Sequence, residues 1–101
     1  MRNIVLICSA GMSTSMLVTK MKAYAIEIGY ECNINAYGLA DAPNVIPSAD
    51  IVLLGPQIRF NQQKLAERYP DKPVECIEMR MYGTMDGKGV INFVKTKLND
   101  E

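Results

Sequence analysis

The sequence predicts an α/β fold: a four-stranded, mostly parallel sheet flanked by helices, in one domain over residues 1–101. Three observations carry that expectation. Asn3–Ile7 and Ile51–Leu54 are continuous apolar runs of strand length, the pattern of strands buried on both faces. Stretches with helical spacing of apolar residues alternate with them, which is the order of a parallel sheet. The chain has 101 residues, enough for one core without disulfides or metals to hold it together.

The elements follow in order. Asn3–Ile7 runs into Cys8 as the first strand, and Ser9–Ser15 is a small, polar link containing Gly11. From Ser13 the period becomes helical, with Leu17, Met21, Tyr24 and Ile28 on the inward face and Gly29 as the stop. Glu31–Ala36 reads as the second strand, and 37–48, with Pro43 and Pro47, as a loop. Ile51–Leu54 is the third strand. A helix from Gln57 to Tyr69 carries Ile58, Gln62, Leu65, Ala66 and Tyr69 on one face, and Pro70 ends it. Val74–Ile77 is the fourth strand, 78–89 a glycine-containing loop, and Val90–Leu98 the last helix, with Val90, Phe93, Val94 and Leu98 inward. In such sheets ligands sit beyond the carboxyl ends of the strands. Cys8, Gly55 and the segment after Ile77 all fall at that edge.

Composition narrows the chemistry. Formal charge is zero and no basic run occurs, so there is no electrostatic case for nucleic acid. The longest apolar runs are too short to cross a bilayer, and the apolar start lacks a signal-peptide cleavage site, so a cytoplasmic protein without direct membrane insertion is expected. Three scattered cysteines and no histidine argue against a disulfide framework and against a zinc site. No metal and no cofactor is expected. Without histidine, neither a Ser-His-Asp triad, a Cys-His dyad nor a phosphohistidine can form in this chain. Cysteine is the remaining obvious nucleophile.

Cys8-Ser-Ala-Gly-Met-Ser-Thr-Ser15 joins a buried strand to a helix start. The first helical turn has backbone N–H groups without partners, and the helix dipole places positive charge there. A tight loop of small residues adds further N–H groups, forming a nest for an anion. Gly11 permits the backbone angles this requires, and Ser9, Ser13, Thr14 and Ser15 offer hydroxyls. A cysteine opening such a loop is favoured as thiolate. The plain alternative is a small buried cysteine and an ordinary helix cap. The loop lacks both GxxxxGK and GxGxxG. It is similar to the C-x5-R-S loop of low-molecular-weight tyrosine phosphatases and related arsenate reductases. Thr14 stands where their arginine would, so the loop keeps an anion seat but lacks the cation that stabilises transfer to water. A phosphatase or arsenate-reductase-like enzyme is the alternative reading.

With IVLICSAGMSTSMLVTKM, ADIVLLGPQIRF and KPVECIEMRMYGTMDGKGV in this order, the chain resembles the IIB components of the lactose/cellobiose (chitobiose) class of the phosphoenolpyruvate-dependent sugar phosphotransferase system. The resemblance implies a four-stranded parallel sheet with a phosphatase-like anion loop after the first strand. It implies a phosphocysteine at Cys8, held by Ser9, Ala10, Gly11, Met12, Ser13, Thr14 and Ser15. The phosphoryl group would come from a phosphohistidine on a IIA partner. It would pass to a sugar held by the membrane component IIC, a β-linked disaccharide such as cellobiose, chitobiose or lactose. Gln57 stands where it would touch phosphate or partner, or else is an early helix residue. Tyr82 borders the site or packs in the core. Asp86 is a candidate acid or a solvated turn residue. Cys32 and Cys76 are expected to be buried and structural. Of Met12, Met16, Met79, Met81 and Met85, burial is expected for most, with Met12 a candidate contact.

Overall fold

Arg2–Cys8 (β1) is central in the sheet, which explains its lack of polar alternation: Ile4 to Cys8 are all buried. The computed structural model describes residues 1–8 and 14–100. Ser15–Glu27 (α1) returns the chain to Cys32–Gly38 (β2), and Ile51–Leu54 (β3) and Val74–Cys76 (β4) complete the sheet. The order is β2-β1-β3-β4, all parallel. The chain goes out from β1 to one side, to β2, and then crosses to the other side, to β3. The topological switch point therefore lies between β1 and β3, where α/β sheets open a crevice at their carboxyl edge.

Alternate residues feed two cores. Ile4, Leu6, Ile34, Ile51 and Leu53 face Leu17, Val18, Met21 and Ala25 of α1 and Val90, Ile91 and Val94 of the last helix. Val5, Ile7, Val52, Leu54 and Val74 face Ala42, Ile46, Ala49, Ile58 and Leu65 on the other side. α1 ends as its sequence predicts: Gly29 has φ +71°, and the Gly29 and Tyr30 N–H groups donate to the Ile26 and Ala25 carbonyls. Its inward face is nevertheless Leu17, Val18, Met21 and Ala25. Tyr24 is half-buried, and Ile28, past the helix end, is exposed.

Four further expectations need correction. β2 extends two residues beyond Ala36, to Gly38, because β1 pairs with it through Cys8. Residues 39–48 are not an open loop: 3-10 turns Leu39–Asp41 and Ile46–Ser48 flank Ala42–Val45 (α2). Pro43 and Pro47 occupy the first turns of such segments, where a missing N–H costs nothing. Burial of Ala42, Ile46 and Ala49 then holds the turns on the sheet. The expected helix from Gln57 is two pieces, a 3-10 segment Pro56–Asn61 and Gln62–Arg68 (α3), with non-helical angles at Ile58.

The glycine-containing stretch after β4 also holds helices, Met79–Gly83 (α4) and the start of Gly87–Leu98 (α5). Here Gly87 serves contact rather than flexibility. A Cβ on Gly87 would lie 2.6 Å from the Lys20 carbonyl carbon and 2.7 Å from the Met21 nitrogen, so glycine lets α5 meet α1 backbone to backbone. Asp86 caps α5, its Oδ1 accepting from the Gly89 N–H at 2.9 Å. At the opposite edge of the sheet, Asp100 accepts two hydrogen bonds from Arg2, both at 2.8 Å, and one from the Tyr30 hydroxyl at 2.6 Å. This ties the end of α5 to the start of β1.

Candidate phosphoryl-transfer site

The apolar pattern of β1 delivers Cys8 to the carboxyl edge beside the switch point. It shares the parity of Ile4 and Leu6, which face the α1 side, and it is 1% exposed. Its Sγ lies 3.5 Å from Oγ1 of Thr14, which is itself fully buried. Thr14 occupies the N-cap position of α1, yet its side chain makes no capping bond. Its hydroxyl meets the sulfur instead. Ser15 opens α1 and is exposed. The sulfur and hydroxyl thus meet at the N-terminus of a 13-residue helix, whose dipole favours negative charge there. Ser9, Ala10, Gly11, Met12 and Ser13 lie outside the described residues.

The switch point brings the turn after β3 against Cys8. The Gly55 N–H donates to the Ile7 carbonyl at 2.8 Å. A Cβ on Gly55 would stand 3.3 Å from Cys8 Cβ and 2.7 Å from Gln57 Oε1. Position 55 is thus tight for a side chain, with the cysteine on one side and the glutamine on the other. Gln57 is exposed and turns its amide oxygen back over Gly55. Sequence reasoning placed Gly55 and Gln57 at this edge with Cys8, but not how closely position 55 approaches the cysteine. The Gly-Pro pair after a buried strand was the available signal.

The other candidates separate. Tyr82 is half-buried and packs on the α1/α5 core. Asp86 is an exposed helix cap. Cys32 and Cys76 are half-buried rather than buried, and burial pushes both thiols up. Cys76 donates to Gln62 Oε1 at 3.3 Å, while Gln62 Nε2 donates to the Val74 carbonyl at 2.9 Å. Gln62 is thus a structural polar residue on the inward face of α3. Cys76 packs on the second core, whereas Cys8 has the strand parity of Ile4 and Leu6 in the first, which puts the two sulfurs on opposite faces of the sheet. Met16 and Met79 are 58% and 65% exposed, contrary to the burial expected of most methionines, while Met81 and Met85 are half-buried. Among the described residues no cluster of His, Cys, Asp or Glu could hold a metal, and no helix is long and apolar enough to cross a membrane.

The fold and site define an open parallel α/β protein with a buried thiol at its switch point, set against a helix N-terminus. The chain belongs to the family described as "PTS system, Lactose/Cellobiose specific IIB subunit", which matches residues 3–93. It is similar to the oligo-beta-mannoside-specific EIIB component of Bacillus subtilis (strain 168), 50% identical over 91 residues and 87% of each chain. It is also similar to the galactose-specific EIIB component of Lactococcus lactis subsp. cremoris (strain MG1363), 38% identical over 95% of each chain. The solution structure of the cellobiose-specific phosphotransferase IIB component from Borrelia burgdorferi superposes with a TM-score of 0.81 at 40% identity, covering 98% of this chain and 93% of that one. The lactose-specific IIB domain of Streptococcus pneumoniae, at 15% identity, shares the fold with a TM-score of 0.80, covering 92% of this chain and 93% of that one. The protein is accordingly a sugar-specific phosphoryl carrier of the lactose/cellobiose IIB type, a phosphotransferase.

Proposed function

We propose that Cys8 is the phosphoryl-carrying residue and that 9–15 form its phosphate-binding loop, within one IIB domain spanning 1–101. The observation that carries this is the pairing of the buried Cys8 sulfur with the Thr14 hydroxyl at the start of α1. The thiolate attacks phosphorus of a phosphohistidine on a IIA partner; the S–P bond forms as the N–P bond breaks, and the imidazole keeps the electron pair. In the second step a sugar hydroxyl attacks, the O–P bond forms, the S–P bond breaks, and the hydroxyl proton is released. Helix-terminal N–H groups and the loop stabilise charge on the transferring oxygens. The sugar is held by the membrane component IIC, with which the carrier associates from the cytoplasm. A β-linked disaccharide such as cellobiose, chitobiose or lactose fits the family's description and the cellobiose-specific neighbour. Gln57 is assigned a supporting position through its place over Gly55, whereas Tyr82 packs on the α1/α5 core.

The test is incubation with phosphoenolpyruvate, the general phosphotransferase proteins and a IIA component, followed by mass spectrometry. One phosphoryl group is expected, on Cys8. Cys8→Ser abolishes it, since a serine hydroxyl has no base here to activate it, whereas Cys32→Ser and Cys76→Ser retain it. Label on Cys32 or Cys76 in the wild-type protein overturns the assignment.

A further inference from the structure

The two edges of the sheet are finished differently. β4 is three residues long. Pro73 and Ile77 bond Val52 and Leu54 of β3, so Val74, on the alternate parity, turns its carbonyl outward. The Gln62 amide fills that outward acceptor at 2.9 Å. β2 has no such cover. It is seven residues long, Cys32-Asn-Ile-Asn-Ala-Tyr-Gly38, without charge or proline. The Arg2 N–H donates to the Glu31 carbonyl, which sets the alternation: Asn33 and Asn35 turn their backbone groups to β1, and Cys32, Ile34 and Ala36 turn theirs outward. Among the described residues nothing hydrogen-bonds to those outward groups. Sheet edges are ordinarily blunted by shortness, charge, proline or a covering side chain. β4 is so blunted and β2 is not.

Between the β2 edge and α1 the surface is hollowed. Two depressions follow the strand, one of about 310 Å³ reaching from Ser15 to Ala36 and one of about 230 Å³ reaching to Tyr30 and Cys32. They share Lys22, Ile34 and Asn35, so Lys22 stands at the middle of the groove with a hollow on either side. The floor is apolar, with Val18 in one hollow, Ala25 in the other and Ile34 in both. Lys22 is exposed and makes no ion pair among the described residues. No aspartate or glutamate lines either hollow; Glu31, just before β2, lies outside both.

We propose that the β2 edge, with the groove along α1, is a strand-addition site for an extended segment of a partner protein, one that carries a carboxylate between two apolar residues on the same face. The backbone of that segment pairs with Cys32, Ile34 and Ala36, its apolar side chains enter the two hollows, and its carboxylate meets Lys22. Charge selects this occupant over a second copy of the chain. Lys22 lies beside the middle of β2, so twofold pairing of β2 with itself brings two lysines together, and β2 has no carboxylate to offer either of them. The added strand lies on the side of β2 away from β1 and β3, which leaves Gly55 and Gln57 beside Cys8 uncovered. A partner is thus held at the flank while the transfer edge stays open.

The probe is a capped heptapeptide in which threonine alternates with valine, glutamate and valine, titrated into isotope-labelled wild-type protein and followed by NMR. The amide signals of Cys32, Ile34 and Ala36 are expected to shift, and their hydrogen exchange to slow, with a Kd of about 1 mM or tighter. A peptide with lysine in place of the glutamate binds about tenfold more weakly at low salt, and high salt removes the difference. Lys22→Glu reverses the preference; Lys22 is exposed, so native folding by circular dichroism is expected. Of two glutamate peptides N-methylated at alternate positions, odd or even, one loses about tenfold or more in affinity and the other does not. Absence of shifts at the β2 edge at about 5 mM peptide overturns the proposal. So do equal affinities of wild type for the glutamate and lysine peptides, or undiminished binding of both methylated peptides. Signals of Cys32, Ile34 and Ala36 that move with protein concentration alone show a second copy at this edge and also overturn it.

Discussion

Thr14→Val removes the hydroxyl that meets the Cys8 sulfur. Valine keeps the shape of threonine and replaces the hydroxyl by a methyl group, in a position with no solvent exposure. The helix loses no cap, because the Thr14 side chain makes no capping bond. A methyl is comfortable in a buried site, so stability is expected to stay within about 1 kcal/mol of wild type. Transfer should not. In the proposed transfer, charge develops on sulfur as the phosphoryl group leaves, and because a thiolate can only accept, the hydroxyl 3.5 Å away becomes the donor. A hydrogen bond to a charged group is worth about 1.5–3 kcal/mol. Each 1.36 kcal/mol in the barrier is tenfold in rate, so the full range is about 10- to 150-fold. Sulfur is a diffuse acceptor and the contact is at the long end for a hydrogen bond, which places the expectation near tenfold. The assay is single-turnover phosphorylation and dephosphorylation by rapid quench, with folding checked by thermal denaturation. Thr14→Ser, which keeps the hydroxyl, should recover most of the rate. A native-like Thr14→Val that transfers within about twofold of wild type refutes the assignment of Thr14 to the sulfur.

Gly55→Ala should fold but transfer several-fold more slowly. Gln57 can swing away from the new methyl, whereas buried Cys8, 3.3 Å from it, must shift by tenths of an ångström; single-turnover kinetics with unchanged circular dichroism would bear this out. Gly87→Ala should destabilise by about 1–3 kcal/mol, because the methyl meets α1 backbone rather than a mobile side chain. A melting temperature about 5–20 °C lower is expected, and an unchanged one contradicts the close helix contact. Hydrogen bonds from Arg2 and then Tyr30 hold the Asp100 carboxyl at about 2, below its ordinary 3.8. A depressed carboxylate stabilises the fold above its unfolded value. That contribution is lost as pH falls from about 3.8 toward 2. Acid denaturation followed by circular dichroism should therefore show a smaller drop in stability over this window for Asp100→Asn than for wild type. Equal drops would place the acid sensitivity elsewhere.

Much of this molecule is written locally. Asn3–Ile7 and Ile51–Leu54 were legible as strands because burial of Ile4–Ile7 and Ile51–Leu54 on both faces leaves no polar residue to interrupt those runs. The end of α1 was legible because Gly29 takes the left-handed conformation that closes a helix. The thiol at a strand end, followed by small residues and a helix start, was legible in order along the chain. What the tertiary structure decided depends on contacts between distant segments. The turns of 39–48 have weak local signals and exist because Ala42, Ile46 and Ala49 have a sheet face to bury against. Gly87 reads locally as a helix breaker, yet it sits in a helix because only glycine fits where α5 touches the backbone of α1. The expected inward Ile28 gave way to Val18 and Ala25 because the rotation of α1 is set by the sheet and α5, not by its own period. The meeting of Gly55 with Cys8 follows from the order β2-β1-β3-β4, which places β3 beside β1. Strand order is chosen by how whole layers pack, and no local stretch of sequence encodes it.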